Sequence, residues 1–226
     1  VVYSCCGGLS YRAWSEPMGI PISSTAGING WQASLTGTAM AFVRAGQWSY
    51  LSRPDAVPQE FDVPGRLVRL GGRGDAFVQA GQTLLRLDIL EQSSDSVLSV
   101  SVGQRLVDVQ RTASGETLLL TIDEGGEHHL YGHHAASGER RHLTEVSRAA
   151  MFGRPFLLQS RVTRTGHLLF ITPDARLRAA RLDEEALTLG DPVEIQSSVL
   201  SFDVSEDGRL AYWLLPDEDG SWYEFD

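Results

Sequence analysis

Apolar positions along the chain fall in short runs separated by polar, glycine-containing turns. In TLLLTI (117–122), HLLFIT (167–172) and LAYWLL (210–215) nearly every position is apolar. A strand with one wet face alternates in and out, so continuous runs of this length predict strands covered on both faces. Five times a glycine turn leads directly into such a strand: Gly37-TAMAFV, Gly74-DAFVQ, Gly115-ETLLLTI, Gly166-HLLFIT and Gly208-RLAYWLL. The glycines are 37, 41, 51 and 42 residues apart (37→74→115→166→208). VVYS at the start reads as a sixth copy with its turn cut away. Helical composition is confined to Asp183–Ala186 and Glu145–Met151, each too short to stand as a helix.

Self-similarity near 40 residues marks a repeat architecture. Residues 105–145 parse into RLVDVQR, ETLLLTID, HHLYGHHA and RRHLTE, with Gly-containing turn signals between them. Four short strands joined in this way form an antiparallel meander, the blade of a β-propeller. Residues 31–64 parse as WQASL, TAMAFVR, QWSYLSR and QEFDV, and residues 66–102 as RLVRLG, DAFVQ, TLLRLDI and VLSVSV. Residues 149–197 give FLLQSRV, HLLFIT, LRAARLD and PVEIQ. The first unit lacks an inner strand and the last lacks an outer one. The pattern therefore predicts an all-β propeller of five or six blades, each of up to four antiparallel strands, with incomplete terminal blades. Continuous repeats over 1–226 predict one domain.

Composition narrows the partners. The formal charge is −10, with 29 acidic against 19 basic residues, which argues against nucleic acid or an anionic membrane as the main partner. All basic residues are arginine. The two cysteines, Cys5 and Cys6, are neighbours whose side chains point to opposite faces of a strand, so no disulfide framework is expected. No apolar run approaches the ~20 residues of a spanning helix, and no signal peptide is visible. The chain lacks an initiator Met and begins inside a strand, so it is expected to be a portion of a longer protein.

Residues 164–199, RTGHLLFITPDARLRAARLDEEALTLGDPVEIQSSV, resemble a blade of TolB-like propellers. FDVSEDGRLAYW (202–213) resembles the Ser-x-Asp-Gly-x-x-Leu-Ala-Tyr motif of the WD40-like (PD40) repeat. SGETLLLTIDEGGEHHLYGHHAASGERRHLT (114–144) follows the same turn–strand–strand pattern. The likeness extends over 105–213 and is weak over 1–100. It is greatest to the propellers found behind bacterial serine/threonine kinase and regulator modules. Only Ser205, Asp207 and Gly208 match the polar core of the motif. At the other turns Thr36, Arg73, Ser114 or Thr165 replaces the Asp. The resemblance implies structural turn roles for Ser205, Asp207 and Gly208. It also implies a periplasmic or extracellular binding, scaffold or peptidase-associated domain.

Candidate chemistry is sparse. His128, His129, His133 and His134 fall within seven residues, but positions four apart on a strand are ~13 Å apart and adjacent residues point opposite ways. An outer, partly solvated strand is the expected reading, with no metal set. The nucleophile-elbow pattern G-x-S-x-G does not occur. Asp108 and Asp203, on predicted first strands, are the candidates for axis carboxylates of a propeller glycosidase. Trp14, Trp31, Trp48, Trp213 and Trp222 read as blade-wedging core residues. The loops joining second to third strands are 44–47, 79–82, 123–127, 172–176 and 215–221. They contain Asp123, Glu124, Glu127, Asp174, Asp217, Glu218 and Asp219. Turns at the opposite end contain Arg73, Arg140, Arg141 and Arg209. This polarity predicts an acidic side that attracts a cationic peptide, a basic protein surface or a calcium ion. Asp and Gly also favour turns regardless of function.

The expected function is a non-enzymatic binding, sensory or protein-interaction module of a larger bacterial protein. The rival expectations are an accessory propeller that gates or positions a peptidase-type hydrolase domain, and a glycosidase working through axis carboxylates.

Overall fold

The computed structural model describes residues 2–5, 8–11, 20–21, 28–33, 39–44, 46–53, 56–71, 74–148, 160–204 and 210–214. Every regular element among them is a β-strand. No helix among the described residues is long and apolar enough to cross a membrane. The chain divides into two compact units, Val1–Val100 and Ser101–Asp226.

In the first unit, β1 (Val2–Cys5), β2 (Gly8–Tyr11) and β3 (Ile20–Pro21) form a three-stranded antiparallel sheet. Two four-stranded meanders follow. One is β4 (Ile28–Ala33), β5 (Met40–Arg44), β6 (Gln47–Leu51) and β7 (Gln59–Phe61). The other is β8 (Arg66–Leu70), β9 (Asp75–Ala80), β10 (Thr83–Asp88) and β11 (Ser93–Ser99). Ala41, Tyr50 and Phe61 from the first meander share a core with Leu70, Val78, Leu87 and Ile89 from the second. Trp48 packs at its margin, its ring 6.2 Å from that of Phe61, as expected of a wedging aromatic.

In the second unit, β12 (Gln104–Arg111), β13 (Thr117–Glu124), β14 (Glu127–His134) and β15 (Arg140–Val146) form the most regular meander. The next sheet contains β16 (Ser160–Val162), β17 (His167–Ile171) and β18 (Leu177–Asp183). Its outer position is filled by two pieces, β19 (Thr188–Leu189) and β20 (Val193–Gln196), both paired with β18. Gly190-Asp-Pro breaks that strand, because Pro192 has no N–H to continue the ladder. β21 (Val199–Val204) and β22 (Leu210–Leu214) form a final antiparallel pair.

The doubly covered second strands are present in β13 and β17, whereas the described side chains of β22, Leu210, Tyr212 and Leu214, are half-buried. Leu118, Leu119, Leu120 and Ile122 of β13 are all buried, as are Leu168 to Ile171 of β17. One face of β13 and β14 packs through Leu119 and Leu130 against Leu168, Phe170 and Leu182. One further feature was illegible in the sequence. A β-bulge sits in β4, β8, β12 and β21, between Ile28 and Gly30, Leu67 and Arg69, Leu106 and Asp108, and Val199 and Ser201. Each inserts one residue into a first strand and re-aims the side chains beyond it. The predicted glycine turns take left-handed backbone at Gly74, Gly115 and Gly166, with φ of 83°, 79° and 76°.

Two expectations need correction. The outer strand of the third sheet begins at Ser93, not at Val97, because β11 is an exposed strand whose polar SSDS segment still pairs with β10. The histidine-rich segment is not an outer strand. β14 is the third of four, covered on its far side by β15, and His133 is buried. Gly132 in the middle of that strand makes room for Leu187. A Cβ there would meet the Leu187 side chain at 3.0 Å.

Candidate functional site

The turn between β13 and β14 gathers three of the predicted acidic residues. Asp123 faces Arg105 across the strand pair, and the Arg105 Nη2 donates to its Oδ2 at 2.8 Å. Its Oδ1 accepts the Gly126 N–H at 2.9 Å and so closes the turn. Burial alone would raise the Asp123 carboxyl, but the bonds from Arg105 and Gly126 outweigh it and hold the group below the usual carboxylate range. Glu124 accepts two bonds at Oε1, from Gln104 Nε2 at 2.8 Å and from the Tyr131 hydroxyl at 2.7 Å. Desolvation, and then the bond to Glu124, push the Tyr131 hydroxyl up to about 12. Glu127 is exposed, with Oε2 3.7 Å from His129 Nε2. Arg148 Nη1 donates to Gly126 O at 3.2 Å.

The turn between β17 and β18 has the same character. Asp174 accepts from Thr172 Oγ1 and pairs with Arg176 Nε at 2.8 Å. Arg176 Nη1 in turn donates to Glu194 at 2.8 Å. The Ser147 N–H donates to Ile171 O at 2.7 Å, which ties the two turn regions together at one end of this unit. Asp123, Glu124 and Asp174 are therefore engaged within their own sheets, and Arg105, Arg148 and Arg176 stand among them. The described part of this end alternates in charge. Asp217, Glu218 and Asp219, and the turn residues Ser205, Asp207 and Gly208, lie outside the described residues, as do Arg73 and Arg209. At the other end Arg141 bonds Glu139 at 2.7 Å and the Ala186 carbonyl at 3.2 Å.

Asp108, the axis candidate, accepts a bond from Gln110 Nε2 at 3.0 Å. Gln110 is buried and also donates to the Ser160 carbonyl at 2.7 Å. Asp108 thus belongs to a join between the first strands of consecutive sheets. The side chain of Asp203 lies outside the described residues. Among the described residues no three His, Cys, Asp or Glu side chains form a group able to hold a metal ion.

A cleft of about 480 Å³ in the first unit escaped the sequence reading. It lies between β7 and the β10–β11 hairpin. Phe61, Leu87 and Ile89 are its buried apolar lining, and Glu60, Asp62 and Asp88 line it with carboxylates. Gln47, Gln92, Ser93 and Ser94 add neutral polar groups, and no basic residue is in the lining among the described residues. Gln59 Nε2 donates to the Ile89 carbonyl at 3.1 Å, and Gln47 Nε2 to the Phe61 carbonyl at 3.0 Å, so both walls are held in place. Asp88 Oδ1 accepts the N–H groups of Leu90 and Glu91 at 3.0 Å and shapes the hairpin. The sequence signal is acid–apolar alternation in QEFDVP and LDIL, which reads the same as any half-exposed strand.

No protein-family model matches the chain, and no curated protein matches it. Solved structures do. TolB from Acinetobacter baumannii matches with a TM-score of 0.57 at 13% identity, over 93% of this chain and 54% of that one. A luciferin-regenerating enzyme matches with a TM-score of 0.56 at 13% identity, over 83% and 69%. Regucalcin from Agrobacterium tumefaciens, a calcium-binding protein, matches with a TM-score of 0.53 at 12% identity, over 87% and 72%. The chain spans about half the length of TolB. At these identities the likeness establishes the fold, a TolB-like β-propeller, and nothing about chemistry.

Proposed function

We propose that the chain is a non-enzymatic binding module of a larger bacterial protein, and that the cleft beside β7 and β10 takes a cationic peptide segment or basic protein surface. The observation that carries this reading is the cleft lining: Glu60, Asp62 and Asp88 around an apolar floor, with no cation among its described residues. A side chain with an apolar stem and a charged head, Arg or Lys, fits such a lining, the stem on Phe61 and the head on the carboxylates. The turns at 123–127 and 172–176 are weaker candidates, since Asp123 and Asp174 already hold arginines and Glu124 is bonded to Gln104 and Tyr131. The bonding of Asp108 to Gln110 favours a structural role over glycoside cleavage.

The test is fluorescence anisotropy with arginine- and lysine-containing peptides against acidic and neutral ones, at several salt concentrations. Selective binding of the basic peptides is expected, falling with salt. Glu60→Gln with Asp62→Asn should lower affinity and flatten the salt dependence, while Asp217→Asn, Glu218→Gln and Asp219→Asn should leave both unchanged. Equal binding of acidic and basic peptides, or no effect of the cleft variant, would overturn the reading. Calcium titration of the same variants separates a cation-binding cleft from a peptide-binding one.

A further inference from the structure

We propose that His129 and His142 form a two-histidine clamp for a divalent transition-metal ion on the β12–β15 sheet. His129 lies on β14 and His142 on β15. A bulge in that strand pair sets Tyr131 opposite His142 and Glu145 opposite His129. The two histidines are therefore diagonal neighbours on one face. His129 Nδ1 and His142 Nε2 stand 3.4 Å apart, with ring centroids at 5.4 Å and planes tilted by 57°. Two imidazole nitrogens bound at ~2.0–2.1 Å to a tetrahedral zinc ion are themselves about 3.3–3.4 Å apart. The strand pair already holds that spacing. It also suits a weak N–H···N bond, which metal binding would exchange for two coordinate bonds once both rings present lone pairs.

A second observation concerns the other nitrogen. Glu127 Oε2 lies 3.7 Å from His129 Nε2. That separation is beyond a direct hydrogen bond but within reach of the exposed Glu127 side chain, and a carboxylate that accepts from the far nitrogen of a metal-bound histidine fixes the orientation of the ring. The surroundings orient the second ring. Tyr131 packs edge-on against His142 at 5.3 Å, with its hydroxyl anchored on Glu124. The Arg140 guanidinium lies 5.3 Å over the Tyr131 ring. Two neutral nitrogens select zinc, nickel or copper over calcium, which takes oxygen ligands. With only two protein ligands, water completes the coordination. A single-strand reading of the histidines excluded this pairing, because the second ligand comes from the neighbouring strand.

The experiment titrates the full chain with Zn²⁺ and with Ni²⁺ in competition with a chromogenic chelator, with Ca²⁺ as the hard-ion control. His129→Ala and His142→Ala should each weaken Zn²⁺ binding at least about tenfold, and Glu127→Gln by about tenfold. His167→Ala, which removes an exposed histidine on another sheet, should change nothing. Zn²⁺ should raise the melting temperature of the unmodified chain and leave that of His142→Ala unmoved. Melting in the presence of EDTA checks that each variant folds, and His142→Gln serves if alanine does not. Unchanged Zn²⁺ affinity in either folded His142 variant, or no binding to the unmodified chain up to about 1 mM, would overturn the clamp.

Discussion

Gln110 donates its side-chain amide to the main-chain carbonyl of Ser160 at 2.7 Å, across 50 residues of sequence. Its Oε1 accepts the Val162 N–H at 3.4 Å. One buried side chain thus serves both a donor and an acceptor of β16, a strand of only three residues. A short first strand pairs on one side with β17 and gains its second support from this amide.

Removing the amide leaves buried main-chain groups without partners, which costs about 1–3 kcal/mol. Gln110→Ala should lower stability by that amount in urea unfolding. Gln110→Glu should do no better, since it sets a second carboxylate beside Asp108 and loses the donor. Unfolding midpoints equal to that of the unmodified chain would show that β16 is held some other way.

Ala175 takes a left-handed backbone, φ 60°, in the turn between β17 and β18. The corresponding turns contain Gly46, Gly81 and Gly125 in left-handed backbone. A Cβ is disfavoured there, so Ala175→Gly should stabilise the chain by a few tenths up to about 1 kcal/mol. Gly74→Val should do the opposite. It puts a β-branched residue at φ 83° with the Leu90 side chain 3.0 Å from its Cβ, a loss of about 1–3 kcal/mol. Thermal melts of the two variants should move in opposite directions.

Burial, with Arg140 and His134 adding to it, pushes the His133 imidazole below its ordinary value. Its Nδ1 is buried with no hydrogen-bond partner among the described residues. The unfolded chain binds a proton there near pH ~6.5 while the folded chain stays neutral. Stability is therefore unaffected well above that pH and falls as pH drops below it. Desolvation depresses His128 in the same sense. Melting temperature should decline between about pH 6.5 and 5. His133→Phe should flatten part of that decline, and an equally steep decline in that variant would refute the assignment.

The Asp123 carboxyl is depressed, so its contribution has a different window. The stability it adds is present above the unfolded value and is lost as pH falls through the folded one. Asp123→Asn should lower stability at neutral pH and show less further loss below about pH 4. Convergence of the two melting curves at acid pH is the expected result, and parallel curves would contradict it.

The sequence by itself determined where the chain turns and which strands are buried. Gly74, Gly115 and Gly166 stand at left-handed turns because that backbone excludes most side chains, a local requirement visible residue by residue. The apolar runs in β13 and β17 declared their double burial for the same reason: water exclusion on both faces leaves few polar positions. The strands of 105–145 were therefore legible to within about two residues. Outer strands were less so, since SSDS in β11 is exposed and obeys no apolar period. Only the tertiary structure decided which side chains meet. Alternation assigns a residue to a face but does not name its cross-strand neighbour, and one bulge changes every pairing beyond it. So Asp123, read as part of an acidic rim, is neutralised by Arg105, which lies 18 residues earlier. His129 finds His142 on the next strand, and Glu60, Asp62 and Asp88 come together from two sheets. Electrostatic and coordination chemistry act over a few ångströms in space, and that distance is set by register and sheet packing, which no local pattern of residues encodes.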